Sequence, residues 1–207
     1  MAILGTSASE KELQRRVQRL TRLVEVSVTL NSTQQLAALL QFIISTAAEL
    51  VDSEAASILL LDENTRALKF AAATGSDAAE LARIAVPMES IAGTIFRQNA
   101  PLIINEVGRD PRHYRQVGQQ VNFQTRSLAG VPMRIQDRVV GVLEALNKRQ
   151  GKFAEEDTVF LSILASQAAV ALHNAGLLEA LQQANAELGK TDKIKSVYGP
   201  FRKRGKS

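Results

Sequence analysis

"SLAGVPMRIQDRVVGVLEALNK", residues 127–148, consists of two apolar runs separated by a short polar turn at Gln136 and Asp137. This pattern predicts a β-hairpin. The stretch "AASILLLDENTRALKFAAATG", residues 55–75, repeats the arrangement. Residues 58–61 are apolar on both faces, so we expect their strand in the centre of the sheet. Strands joined as hairpins pair antiparallel, and the sequence therefore predicts an antiparallel sheet.

Helices are predicted before, between and after these hairpins. Residues 31–54 begin with cap-type side chains and continue with a wide apolar stripe at helical spacing. Residues 154–188 begin with acids and continue as an Ala-rich apolar helix suited to close packing on a sheet. Residues 84–104 predict a short strand, a helix over Ser90–Gln98 and a strand over Leu102–Ile104. This order lacks regular strand–helix alternation, and it predicts an α+β domain.

A polar connection, residues 105–126, separates the predicted strand at 102–104 from the second hairpin. It contains two Gly and one Pro. Connections of this length inside a compact domain are uncommon and usually functional. We expect a lid over a binding site.

The chain divides into four predicted segments. These are an N-terminal coiled-coil-like helix (1–30), the globular domain (31–175), a C-terminal coiled-coil helix (176–189) and a basic disordered tail (190–207). Apolar residues at steps of three and four indicate the pairing seam of a homodimer. The seam residues are Leu13, Val17, Leu20, Val24, Leu178, Leu181 and Leu188. The alternative for the first helix is that it packs on its own domain.

The composition is that of a globular protein, with 207 residues, 45% of them hydrophobic and 22% charged. The formal net charge of +4 does not indicate a nucleic-acid partner, because residues 190–207 carry seven bases and one acid, which leaves −2 for the rest. No apolar run approaches the roughly 20 residues that cross a bilayer, and the N-terminus lacks a signal-peptide pattern. We expect a cytoplasmic protein without membrane or nucleic-acid partners.

The reactive side chains are few, with no Cys and two His. Without Cys there is no thiolate catalysis, no cysteine-ligated metal and no thioether-linked chromophore. We expect His113 to be exposed on the lid rather than bound to haem, and His173 to be exposed or at a dimer contact. No spacing suits zinc, and neither a nucleophile elbow nor a phosphate-binding glycine loop occurs. We predict no metal and no enzyme activity, and the sequence names no cofactor.

Four stretches, in this order, resemble the GAF domain, the small-molecule-sensing module of cyclic-nucleotide phosphodiesterases, adenylate cyclases, phytochromes and many bacterial sensor kinases. They are residues 55–75, "SIAGTIFRQNAPLIINEV" (90–107), "TRSLAGVPMRIQDRVVGVLEALNK" (125–148) and "FAEEDTVFLSILASQAAVALHNA" (153–175). The resemblance implies a six-stranded antiparallel sheet, with the first and last helices packed behind it and the lid closing a ligand pocket in front.

The same resemblance implies where a ligand binds. The implied ligand-binding residues are Ile91 and Ala92, through their backbone groups, and Asp110, His113, Tyr114, Phe123 and Thr125 on the lid. The alternative is that Ile91 and Phe123 belong to the core, that Asp110 forms a turn with Pro111, and that the polar lid residues face solvent. The identity of the ligand stays open, with a nucleotide as one candidate.

In nucleotide-binding members of that family an Asn-Lys pair is followed, after a spacer, by Phe-x-x-x-Asp-Glu. The matching residues are Asn147, Lys148, Phe153 and Asp157, with Thr158 in place of the final Glu. Lys148 ends a predicted strand and Asp157 lies in the first helical turn, so an ion pair would tie strand to helix. With Ala154 at the N-cap, Asp157 supplies half of a capping box. We expect these residues to form a structural clasp rather than a ligand contact.

"NAELGKTDKIKSV", residues 185–197, resembles the connector that precedes the phosphoacceptor helix of a sensor histidine kinase. Asp192, Lys195 and Ser196 fit that pattern, but no His follows, and Pro200 would break the helix. The stretch is either the end of a truncated kinase input domain or a chance likeness. We expect a homodimeric sensory module that relays a small-molecule signal to a sensor kinase or transcriptional regulator. The alternative is a ligand-free dimerisation or adaptor module.

Overall fold

The computed structural model describes residues 36–74, 81, 83–120 and 122–198, with backbone alone for 179–180 and 182–198. The helices are α1 (Leu36–Leu50), α2 (Ile91–Gln98), α3 (Arg115–Gln120) and α4 (Glu155–Tyr198). The strands are β1 (Ser53–Leu61), β2 (Leu68–Ala73), β3 (Ala85–Val86), β4 (Leu102–Ile104), β5 (Leu128–Ile135) and β6 (Arg138–Lys148). Both predicted hairpins are present, as β1–β2 and β5–β6.

The strands form one antiparallel sheet in the order β3-β2-β1-β6-β5-β4. The predicted α+β class is therefore confirmed, and so is the central position of β1. Glu144 of β6 lies directly between Ser57 of β1 and Gly130 of β5. This register places a carboxyl group between two small neighbours in the middle of the sheet.

The two faces of the sheet bury separate apolar cores. Helices α1 and α4 pack on one face, where Ile43, Ile58 and Leu161 are fully buried. Helix α2 and the lid cover the other face, where Leu59 and Val142 are fully buried. Each such side chain stabilises the fold by about 1.5–3 kcal/mol relative to leaving it exposed. The second core is the one that surrounds the predicted ligand site.

The connection that we predicted as a polar lid contains short helical segments that we had not predicted. A 3-10 turn over Val107–Arg109 and helix α3 interrupt it. Helix α3 has no fully buried residue, so it leaves no apolar periodicity in the sequence by which it could be predicted.

Helix α4 continues to Tyr198, past the predicted boundary at 189. Residues 190–198 are thus helical, although we predicted them as part of a disordered tail. They contain neither Gly nor Pro, and lysines near a helix C-terminus interact favourably with its dipole. Residues 199–207 lie outside the described part of the chain. Leu178 and Leu181 are exposed on α4, whereas only the backbone is described at Leu188, and the seam in residues 1–30 lies outside the described residues.

By length and composition alone, one helical segment in the described part of the chain, Glu155–Leu178, is long and apolar enough to cross a bilayer. The sequence had suggested no such run. One face of this segment packs on the sheet, with Leu161, Leu164 and Ala165 fully buried. Because an Ala-rich core helix also meets such a criterion, the segment carries no inference about a membrane.

Candidate functional site

A cavity of about 110 Å³ lies between the sheet, the start of α2 and the lid. Its walls are mostly apolar, with Leu59 and Phe70 from the first hairpin and Leu128 and Leu146 from the second. Such a combination, an apolar slot with a few polar groups, is typical of small-molecule sites.

Six of the seven predicted ligand-binding residues line this cavity. They are Ile91, Ala92, His113, Tyr114, Phe123 and Thr125. Asp110 does not: its carboxylate accepts hydrogen bonds from the backbone N–H of Arg112 (2.9 Å) and from the Arg112 guanidinium at 2.9 and 2.7 Å. The guanidinium holds the pKa of Asp110 below its ordinary value. Asp110 therefore fixes a turn of the lid, as the alternative interpretation had it.

The start of α2 is already tied to the lid. Ser90 caps the helix by accepting the Gly93 N–H at 3.0 Å, and the Ile91 N–H donates to the carbonyl of Arg112 at 3.2 Å. The Ile91 N–H is thus engaged by the lid backbone and is not among the backbone groups that this residue could offer a ligand. Gly93 is required here because a Cβ would collide with the backbone of Met88.

Glu144 is the polar residue in the cavity that sequence reasoning missed. Its side chain points to the cavity face, and the residue is only 7% exposed. Among the described residues its hydrogen-bond donor is the Ser57 hydroxyl, at 3.3 Å. Burial raises the pKa of Glu144 to about 7, against the smaller opposing effect of Ser57. The available signal was one acid within the apolar run Val142–Leu146 of a predicted central strand.

His113 lines the cavity from the lid, half-buried rather than exposed as we expected. Its Nδ1 atom is buried and has no hydrogen-bond partner among the described residues. Burial is the main cause that lowers the pKa of His113, Arg115 lowers it further, and Asp110 opposes the change. The imidazole is therefore neutral near pH 7, with one ring nitrogen unsatisfied. His173, by contrast, is exposed on α4 and does not line the cavity.

Asn147 connects β6 to the base of the lid. Its Oδ1 accepts from the backbone N–H groups of Arg126 (2.7 Å) and Ser127 (3.3 Å), while its Nδ2 donates to the Gln124 carbonyl (2.9 Å) and to Glu54 (2.8 Å). The hydrogen bond from Asn147 is the largest cause that lowers the pKa of Glu54. Asn147 adopts a left-handed φ of 58°, which Asn tolerates better than most residues.

Lys148 and Asp157 form the clasp between β6 and α4. Lys148 Nζ lies 2.7 Å from Asp157 Oδ1, and Asp157 Oδ2 accepts the Ala154 N–H at 3.0 Å, as the half capping box requires. The two side chains are 11% and 5% exposed, so the pair is buried. Lys148 Nζ also lies 5.6 Å above the ring of Phe153. Phe153 is itself buried, and its backbone N–H and carbonyl are both hydrogen-bonded to the side chain of Asn105. All four predicted clasp residues are thus engaged within the protein, with Asn147 turned to the lid rather than to the helix.

No cluster of three or more His, Asp or Glu side chains that could hold a metal ion occurs among the described residues. The polar side chains that reach the cavity are a carboxyl group, an imidazole, a phenol and hydroxyl groups. Chemically, this set can donate and accept hydrogen bonds and can balance a positive charge.

Comparison with known proteins identifies the family to which this architecture belongs. The sequence model of the GAF domain family matches residues 33–173. "Probable 3',5'-cyclic phosphodiesterase pde-5" of Caenorhabditis elegans is 26% identical over 150 residues, which cover 67% of this chain and 20% of that protein. The chain therefore spans about a fifth of the length of this relative.

Two solved structures illustrate the likeness. The GAF domain of an Acinetobacter phosphoenolpyruvate-protein phosphotransferase has a TM-score of 0.67 at 21% identity, covering 79% of this chain and 98% of that one. Free methionine-R-sulfoxide reductase from Neisseria meningitidis, solved with its substrate, has a TM-score of 0.66 at 21% identity, covering 86% and 99%. Both show a shared fold. Since the family model covers more than half of the sequence, this chain belongs to the GAF domain family, whose members are sensory modules of signalling proteins.

Proposed function

We propose that this GAF domain is a non-catalytic sensor that binds a small molecule beneath its lid and relays binding through α4 of a homodimer. The observation that carries the proposal is the apolar cavity with Glu144 at its base and His113 on its lid. Buried polar groups without partners are costly, and a ligand that supplies those partners recovers the cost.

The cavity favours a ligand smaller than a cyclic nucleotide. Its volume of about 110 Å³ is below the roughly 300–1,000 Å³ of sites for drug-sized molecules. No Lys or Arg is among the described residues that line it, and Glu144 is an acid. A phosphate requires charged or backbone donors, so we do not extend nucleotide binding to this chain from its phosphodiesterase relative.

A path from the lid to α4 supports the relay. Asn147 holds the base of the lid through three hydrogen bonds, and the next residue, Lys148, is bonded to Asp157 in the first turn of α4. A ligand that moves the lid base therefore acts on the residue adjacent to the clasp. In the proposed relay, the clasp passes the movement of the lid base to helix α4 of each copy in the dimer.

An apolar stripe along α4 supports a dimer. The exposed apolar residues are Val159, Ile163, Val170, Leu177, Leu178 and Leu181. Most follow one another at steps of three, four or seven, the spacing of a helix-pairing seam. The stripe extends the predicted seam at Leu178 and Leu181 back along the globular domain. Parallel pairing of two copies along it would place both α4 C-terminal ends side by side, where a sensor kinase or transcriptional regulator can respond to their arrangement.

The stripe also supports a second candidate, a ligand-free dimerisation or adaptor module, because it requires a partner whether or not a ligand binds. A thermal-shift screen of nucleotides and small metabolites separates the two. The sensor predicts a saturable rise in melting temperature that follows RT ln(1 + [L]/Kd). No rise with any compound, in a protein that remains dimeric, supports the adaptor and contradicts the sensor.

The dimer is tested with a charge on the stripe. Val170→Glu is expected to convert the dimer to a monomer in light scattering, since it places a carboxylate in an apolar interface. Gly176→Glu is the matched control, because it adds the same charge on the same helix at a position with open space around it, 100° from Leu177. Equal effects of the two variants, or none from Val170→Glu, would exclude the stripe as the dimer interface.

A further inference from the structure

We infer that the cavity is specific for a small ligand with a positively charged or N–H-donating group, which binds between Glu144 and Ser57, and an acceptor that faces His113. This inference rests on the proposed sensor function and adds the chemical class of the ligand. The groups that define it are side chains of three separate elements, namely β1, β6 and the lid.

The space for a donor group follows from the register of the sheet. The neighbours of Glu144 on the adjacent strands are Ser57 and Gly130, both small. On the Gly130 side the space is already filled, because a Cβ there would lie 2.5 Å from the end of Ile95. On the other side, the small Ser57 and Glu144 both line the cavity, so a donor group reaches the carboxyl group from there.

The carboxyl group lacks a cationic partner. In the described part of the chain its hydrogen bond comes from Ser57. Burial raises the pKa of Glu144, and the bond from Ser57 opposes that rise only in part. A buried carboxylate is costly unless it is paired. A ligand ammonium, amidinium or amide N–H supplies the missing partner, whereas a carboxylate or phosphate would be repelled.

His113 defines the opposite end of the cavity. Its buried Nδ1 has no partner among the described residues. The ring can donate to a ligand carbonyl or hydroxyl through whichever nitrogen carries the proton. The cavity therefore selects a compact molecule with an apolar body, a donor at one end and an acceptor at the other.

The test is an NMR titration of the full chain with isobutylamine, isobutyramide and isobutyrate, which share a branched apolar body. At pH 7.5 we expect the amine to shift resonances of cavity residues and to bind about tenfold or more tightly than the carboxylate. In Glu144→Gln the amine affinity is expected to fall about tenfold, whereas the amide affinity changes less than about twofold because Gln keeps an acceptor. Glu155→Gln, at an exposed acid on α4, is the matched control and should leave all three affinities unchanged.

The pH dependence adds a second measurement. The amine stays protonated through pH 8, so its affinity should rise from pH 5.5 to 8 as Glu144 ionises, and Glu144→Gln should abolish the rise. His113 and Tyr114 are the other titratable side chains among the described lining residues. His113, whose pKa is lowered, is neutral over the upper part of this range.

The outcomes separate the inference from the function on which it rests. Preferred binding of isobutyrate, or equal amine binding by wild type and Glu144→Gln, would overturn the ligand class while leaving a ligand-binding cavity. If none of the three probes shifts any cavity resonance up to its solubility limit, the ligand class is refuted. The sensor function itself is refuted if, in addition, no compound in the thermal-shift screen raises the melting temperature.

Discussion

The clasp between Lys148 and Asp157 gives the sharpest stability prediction. Replacing Lys148 by Met keeps an unbranched apolar side chain but removes the ammonium that lies 2.7 Å from the Asp157 carboxylate. The carboxylate then remains 5% exposed without its cation. Leaving one member of a buried pair uncompensated costs about 3–5 kcal/mol.

Two local features adjust this magnitude. Asp157 keeps its hydrogen bond from the Ala154 N–H and its place at the N-terminus of α4, which recovers about 0.3–1 kcal/mol of favourable interaction for the negative charge. The contact of Lys148 with the Phe153 ring is lost, at about 0.5–1 kcal/mol. These nearly cancel, so Lys148→Met is expected to lower the free energy of unfolding by about 3–5 kcal/mol.

Urea unfolding followed by circular dichroism at a fixed protein concentration measures the change. The double variant Lys148→Met/Asp157→Asn removes both charges while Asn still accepts the Ala154 N–H. The double-mutant cycle is therefore expected to give a coupling energy of at least about 1.5 kcal/mol. Arg138→Met is the matched control, because the Arg138–Glu63 pair is more than half exposed and should contribute less than about 1 kcal/mol. A coupling energy under about 0.5 kcal/mol, or a control as costly as Lys148→Met, would refute the buried clasp.

Three further predictions concern the cavity and its supports. Between pH 4.5 and about 7, Glu144 keeps a proton in the folded state that the unfolded chain releases. The stability of the wild type relative to Glu144→Gln should therefore fall by about 3 kcal/mol as pH rises across this window, and it should stay level above it. A difference in urea midpoints that does not change with pH would contradict the raised pKa. Asn147→Ala should cost about 2–4 kcal/mol through unsatisfied buried groups and speed amide exchange at the lid base. Asn122→Ala, at an exposed residue with a similar positive φ, should cost far less, and equal losses would assign the effect to backbone strain. Gly93→Ala should destabilise by about 1–3 kcal/mol through collision with backbone, whereas Gly108→Ala, in open space, should be nearly neutral in the same unfolding measurement.

The fold was predictable because its signals are local. Hairpin turns, the Ser90 cap and the apolar stripes of α1 and α4 each lie within one stretch of sequence, and each is present in the structure. The clasp was predictable for the same reason, since Lys148 and Asp157 are nine residues apart. Its burial was not predictable, because it depends on packing by distant parts of the chain.

The site was predictable only in outline. The family resemblance named six residues that line the cavity. Which of their polar groups are free to bind a ligand, however, depends on tertiary hydrogen bonds. The Arg112 carbonyl uses the Ile91 N–H, and the Arg112 guanidinium holds Asp110 away from the cavity wall. Glu144 was missed because an acid in an apolar strand becomes informative only when its face and its neighbours are known.

Asn147 and Lys148 join the two halves of the proposed signal path through a single peptide bond. The side chain of the first residue bonds the lid base at Gln124, Arg126 and Ser127, and that of the second bonds α4 at Asp157. Both side chains are buried or nearly so, and each is held by its own hydrogen bonds or ion pair. Neither can move without breaking these bonds, and the adjacent residue offers no replacement for them. In the proposed relay, a displaced lid base is therefore opposed by the ion pair to α4. Under these proposals the Asn-Lys pair acts on signal transmission and stability, while Glu144, on the opposite side of the cavity from the lid, selects the ligand.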